Sequence, residues 1–193
     1  MKKLLIVAVL LFSFIANAQE TTEKKVRDSL IIYSLDAASI NEVAKFSKKK
    51  NTLLYTFGIW CEPCRLHLPT AINLAKEYDL DLFVVIVDSE KSKLADMASD
   101  YLYQFGKEFN IGVLSDETYG LKTKKRNKQF VTEMTPPQFE NINDFSKYIL
   151  LNKEGEVIMV TAYKDNKGND WRDDTKMVNE RIVPLLTKKE AGL

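Results

Sequence analysis

Both cysteines of this 193-residue sequence lie in the pentapeptide Trp60-Cys61-Glu62-Pro63-Cys64, and the chain has a single histidine. Two cysteines and one histidine cannot supply a four-ligand zinc site by themselves, nor a scaffold of several disulfides. A bridge between residues three apart closes a very small loop, so it gains little of the loop-closure entropy that makes structural bridges stabilising. Reversible thiol chemistry is the better reason for such a pair. Pro63 suits the first turn of a helix, where its missing N–H would be unpaired in any case. That places Cys61 at the helix N-terminus, where unpaired N–H groups and the positive end of the dipole favour a thiolate. Cys64, three residues on, can reach back to close a disulfide. Cys61 is therefore read as the attacking thiolate and Cys64 as the resolving thiol, with Trp60 as an apolar wall beside the reactive sulfur. Glu62 puts a negative charge next to Cys61 that opposes the dipole. Each effect is worth on the order of 1 kcal/mol at a partly exposed site, so the two roughly cancel and a reducing pair is expected.

The elements that must position the pair read as alternating strands and helices. A short strand is expected within Asp28–Leu35, around Leu30-Ile31-Ile32-Tyr33. A helix should begin at Ser39, capped by it with Glu42 at the capping-box spacing, and turn Ile40, Val43, Ala44 and Phe46 inward. Lys48, Lys49 and Lys50 would complement its C-terminal end. Thr52–Phe57 (TLLYTF) has the apolar and β-branched character of a buried central strand, and a helix follows Cys61 to about Tyr78. Leu82–Val87 is the clearest strand. Ser92–Phe109 reads as a helix with Leu94, Met97, Ala98, Tyr101, Leu102 and Phe105 inward, Ile111–Leu114 as a strand, and Tyr119–Phe130 as a basic helix. Lys147–Leu151 and Val157–Thr161 form a hairpin about Asn152-Lys153-Glu154-Gly155-Glu156, and Asp170–Thr187 a last helix with Pro184 near its end. This order describes an α/β domain with a mixed sheet and helices on both faces.

The run TLLYTFGIWCEPC, Pro69 five residues after the second cysteine, and the late YILLNKEGEV hairpin together resemble the thioredoxin superfamily. Within it, the Glu-Pro between the cysteines looks like the secreted TlpA/ResA-like thiol–disulfide oxidoreductases. The resemblance covers roughly Ala37–Thr187. It implies a thioredoxin-like fold, a kink of the active-site helix at Pro69, protein disulfides as substrates and a membrane electron donor of the CcdA/DsbD kind. Cytochrome c maturation is one task it suggests. No bound cofactor is called for, since the cysteines carry both electrons. Two positions depart from the family pattern. The cis-proline that usually precedes the first hairpin strand falls near Ser146 or Lys147, so Thr135–Pro136, beside Pro137, is the expected cis bond. The buried aspartate of thioredoxin, six residues before the first cysteine, is Tyr55 here, which leaves Glu62 as the carboxylate nearest in sequence to Cys64.

Met1–Ala18 has the layout of a secretory signal: Lys2 and Lys3, the apolar run Leu4–Ile15, then Ala16-Asn17-Ala18. The run is too short for a helix that needs roughly 20 residues to cross a bilayer. Cleavage after Ala18 is expected, followed by a polar lead-in to residue 36 and a single domain over 37–187, working in the periplasm or as a secreted monomer. Lys+Arg 28 against Asp+Glu 27 leaves no nucleic-acid footprint, and 45% hydrophobic with 28% charged residues excludes a disordered or fibrous chain.

Other residues carry plainer readings. His67, three after Cys64, is expected on the helix surface, and Lys122, Lys124, Lys125, Arg126 and Lys128 on a solvated helix face. Asp165–Asp174 lacks the ligand spacing of a calcium loop and reads as a turn and helix cap, with Trp171 packed at the helix start. The function expected is therefore an exported thiol–disulfide oxidoreductase acting as a reductase. The alternatives are an oxidase or isomerase, a binding module whose disulfide is inert, and, with least behind it, a peroxidase.

Overall fold

A computed structural model describes residues 31–188; the signal and most of the lead-in expected from the sequence lie outside the described residues. Six strands form one sheet in the order β1-β4-β3-β2-β5-β6. They are β1 (Ile32–Leu35), β2 (Thr52–Phe57), β3 (Asp81–Ile86), β4 (Asn110–Leu114), β5 (Tyr148–Leu151) and β6 (Val157–Val160). β2 pairs in parallel with β3, β3 with β4 and β4 with β1, whereas β5 runs antiparallel to both β2 and β6. All six residues of β2 are buried, as a central strand covered on both faces requires, the two threonines included.

Side-chain alternation divides that sheet into two cores. Leu53, Tyr55 and Phe57 face one side, where they meet Cys64, Leu68, Ala71 and Leu74 of α2 (Glu62–Glu77), Ala95, Ala98 and Leu102 of α3 (Lys93–Tyr103), and Met177 and Val178 of α6 (Thr175–Arg181). Leu54 faces the other, with Ile40 and Ala44 of α1 (Ala37–Phe46) and Phe130, Val131 and Met134 of α5 (Thr123–Met134). The mixed sheet with helices on both faces is as the sequence predicts. Short helices α4 (Asp116–Tyr119) and α7 (Val183–Thr187) complete the layers.

Local departures have identifiable causes. The cap of α1 is Asp36, whose carboxylate accepts the Ser39 N–H at 2.8 Å; Ser39 is the third helical residue and completes the capping box from that side. The same bond holds the Asp36 carboxyl below the ordinary aspartate range. Phe46 is 82% exposed rather than inward, and Lys48–Lys50 lie beyond the helix end. In α3, Leu94 and Met97 face solvent, and Ala95 takes the place of Leu94 in the core. The basic helix expected over Tyr119–Phe130 runs instead from Thr123 to Met134, and Tyr119 belongs to the short α4, which ends at Gly120 with φ 69°. The last helix likewise starts later, at Thr175, and breaks at Ile182, with Pro184 in the first turn of α7. In the hairpin, Gly155 adopts φ 78°, and a Cβ there would stand 2.7 Å from the Asn41 carbonyl oxygen.

Arg126 overturns the solvated-face reading of the basic run. It is fully buried and donates to the Asp116 carboxylate and to the carbonyls of Leu114 and Gly120, while Lys122, Lys124, Lys125 and Lys128 stay exposed. Burial alone would raise the Asp116 carboxyl, but hydrogen bonds from Arg126 and Ser89 outweigh it and hold the group below its usual value.

Candidate functional site

α2 begins where β2 ends at the centre of the sheet, so the strand–turn Gly58-Ile59-Trp60 delivers Cys61 to the rim of the domain. Cys61 is the helix cap itself: its Sγ accepts the Cys64 N–H at 3.2 Å. Glu62 and Pro63 occupy the first two helical positions, where a carboxylate suits the dipole and a missing N–H costs nothing. Cys61 and Cys64 form a disulfide with Cα atoms 5.2 Å apart. Their access differs: Cys61 retains 7% exposure and Cys64 none. Pro69 lies exposed inside α2.

Cys61 opens on a groove of about 660 Å³ lined by Trp60, Pro63, Phe145, Ala162, Tyr163, Trp171 and Met177, with His67, Ser146 and Asp174 also on its surface. Trp60 lines this groove beside Cys61. Its indole Nε1 donates to Asp88 at 3.0 Å, and its ring stands edge-on to Phe145 at 4.8 Å. Trp171, half-exposed, lines this groove with Arg172 against its ring rather than packing into the core.

Two sequence expectations fail here. No peptide bond among the described residues is cis, so Thr135–Pro136 is trans. Pro136 lines a separate groove with Asn41, Glu133 and Gly155 and is no part of this site. Ser146 stands before β5 instead, in the left-handed region at φ 62°. A proline there is excluded by its fixed φ near −65°. His67, expected on the surface, is 8% exposed and is hydrogen-bonded to Ser146 and the Trp171 carbonyl. Its place was readable: Cys64, His67, Leu68 and Ala71 recur at helical spacing, and the other three are wholly buried.

Behind the cysteines lies a polar layer that the sequence did not announce. Tyr55 Oη donates to the Cys64 carbonyl at 3.0 Å and pairs with Ser146 Oγ at 2.7 Å. Ser146 Oγ also meets His67 Nδ1 at 3.0 Å, and His67 Nε2 donates to the Trp171 carbonyl at 2.9 Å. Tyr148 Oη donates to Asp174 at 2.5 Å. Burial pushes the phenols of both Tyr55 and Tyr148 well above the ordinary tyrosine value, so neither serves as a base. Glu62, the carboxylate closest in sequence, is exposed on the outer side of the helix start.

No protein-family model matches the chain, and no curated protein sequence matches it. Among solved structures, a Neisseria meningitidis protein named as a thioredoxin is 16% identical over 77% of this chain and 81% of its own, with a TM-score of 0.47. The reduced N-terminal domain of PilB from N. meningitidis is 16% identical over 78% of this chain and 88% of its own, at TM-score 0.42. Yeast Sco1 with copper bound is 16% identical over 74% and 82%, at TM-score 0.42. The strand order β3-β2-β5-β6, with β5 antiparallel to both of its neighbours and a cysteine pair opening the helix after β2, makes this a thioredoxin-like fold.

Proposed function

We propose that this chain is a thiol–disulfide oxidoreductase that reduces disulfides in protein substrates. The observation that carries the reading is the unequal access of the two sulfurs: Cys61 opens on the groove and Cys64 lies behind it. A substrate disulfide can reach Cys61 alone. The Cys61 thiolate attacks one substrate sulfur, forming a mixed disulfide and releasing the other sulfur as a thiolate. Cys64 then gives up its proton and attacks Cys61 Sγ. The Cys61–Cys64 bond forms, the bond to substrate breaks, and the substrate leaves as a dithiol after taking up two protons. Two electrons pass from the protein to the substrate.

The direction and setting belong to the same proposal. Glu62 supplies neither positive charge nor a donor to hold Cys61 as a thiolate, which favours a reducing pair. The signal-like residues 1–18 support export, and an exported reductase needs a membrane donor of the CcdA/DsbD kind to recharge it. Reduction of insulin with dithiothreitol as the source of electrons tests the activity. Catalysed precipitation of the insulin B chain is expected. A disulfide that dithiothreitol cannot open, or an opened pair that leaves insulin intact, would make the site an inert staple on a binding module.

A further inference from the structure

The polar layer behind the cysteines is one hydrogen short. Its two ends, the carbonyls of Cys64 and Trp171, can only accept. Between them run four contacts: Tyr55 to Cys64, Tyr55 to Ser146, Ser146 to His67, and His67 to Trp171. Tyr55, Ser146 and a neutral imidazole bring one hydrogen each, so three hydrogens face four gaps. With Tyr55 pointing at Cys64 and Nε2–H at Trp171, the Ser146 hydroxyl can fill only one of the two places beside it. A second ring hydrogen, on Nδ1, fills the other.

The surroundings favour that extra hydrogen with its charge. Asp174 is 1% exposed, its Oδ2 lies 3.6 Å from His67 Nδ1, and its Oδ1 has no hydrogen-bond partner among the described residues. A buried carboxylate with a bare oxygen calls for a cation beside it. The other groups around the ring are accounted for. Tyr55 from β2 and Tyr148 from β5 are buried phenols; Asp144 is paired with Lys147; Asp173 adds a negative charge on the side of α6; Glu62 on α2 itself points to solvent. His67 also sits one helical turn from Cys64, and Tyr148 reaches the His67 carbonyl at 3.3 Å.

We propose that His67, with Asp174 behind it, is a positioning residue whose second ring proton is linked to the redox state of the Cys61–Cys64 pair. The chain Trp171–His67–Ser146–Tyr55 ends on the Cys64 backbone. Opening the disulfide creates a pair that can carry a thiolate, and a negative sulfur one turn away favours the charged ring. By linkage, the charged ring favours the reduced pair to the same degree. Reduction by a dithiol then draws two electrons into the disulfide and takes up a fraction of a proton at His67 besides those bound by the sulfurs. The inference rests on the reading of the pair as redox-active.

The single histidine makes the test direct. Imidazole C–H signals of the full chain are followed from pH 5 to 9 by NMR, once oxidised and once reduced by dithiothreitol. The midpoint is expected at higher pH in the reduced protein; coincident midpoints overturn the inference. As a second readout, equilibrium with glutathione is measured across the same range for the parent, H67Q and D174N. Both variants are expected to lose part of the pH dependence of the equilibrium constant, by up to tenfold over that range, equivalent to about 30 mV for a two-electron couple. Parallel profiles in parent and variants overturn it, whatever the change in melting temperature. Should either variant fail to fold, the NMR comparison on the parent decides alone. A parent pair that neither dithiothreitol nor glutathione reduces sinks the redox reading itself; a pair that cycles with coincident midpoints sinks only the role of His67.

Discussion

The indole of Trp60 and the carboxylate of Asp88 are joined by a hydrogen bond of 3.0 Å across the mouth of the site, and Asp88 is almost wholly buried. Asp88 also accepts from Thr123 Oγ1 at 2.8 Å, so one carboxylate ties the loop before α2 to the start of α5. The wall of the groove is thereby fixed by a group that never touches the cysteines.

Replacing Asp88 by alanine leaves an indole N–H and a threonine hydroxyl without their acceptor. Loss of about 1–3 kcal/mol of stability is expected from a denaturant melt, together with a shift in tryptophan emission. Slower insulin reduction should accompany it, because Trp60 no longer holds its edge against Phe145. Unchanged emission would show that Trp60 is positioned by packing alone.

The two cysteines should separate cleanly by variant. Cys64→Ser leaves the exposed sulfur able to attack and nothing to resolve, so mixed disulfides with substrate accumulate on non-reducing gels. Cys61→Ser should trap nothing. Equal trapping by both variants would contradict the difference in access.

Arg126 and Asp116 give an acid-sensitive contribution to stability. The Asp116 carboxyl is held below its usual value in the folded protein and returns to about 3.9 when unfolded. A lowered folded value means the contribution is complete above about pH 4 and is lost as pH falls through the folded value. Urea melts from pH 7 to pH 2.5 should show that decline. Arg126→Leu should cost about 3–5 kcal/mol at pH 7 by stranding the carboxylate, and should flatten the decline.

Glu62→His replaces a negative neighbour of Cys61 by a donor. The reduction potential should rise, by about 30 mV for each 1.4 kcal/mol by which the reduced form is favoured. The parent is expected nearer the thioredoxin value of about −270 mV than the DsbA value of about −120 mV. A parent above about −180 mV would make the protein an oxidant or isomerase.

The frame of the fold was legible because its signals are local. TLLYTF carries its burial in its own composition, and Cys61 and Pro63 mark a helix start without help from elsewhere in the chain. What escaped depends on partners far away in sequence. Arg126 looked like one more lysine-type charge, yet it shares a helical face with Phe130 and Met134, and its carbonyl and carboxylate partners lie on β4 and α4. Ser39 fits a capping box as readily from the third helical position as from the cap, and only Asp36 beside it decides. Ser146 could not be assigned because the ten residues after Pro136 blur the count back from the hairpin.

The hydrogen-bonded layer behind Cys64 joins positions 91, 79 and 104 residues apart along the chain. Contacts of that span form only after long loops have closed, whereas Cys61 and Cys64 lie within one helical turn from the moment the helix exists. During synthesis the cysteines emerge long before Trp171 and Asp174. A nascent chain that stops short of those residues holds a complete pair of thiols, able to oxidise, with the layer behind it still incomplete. The polar layer behind the finished disulfide is therefore completed only once residues far downstream of the cysteines have arrived.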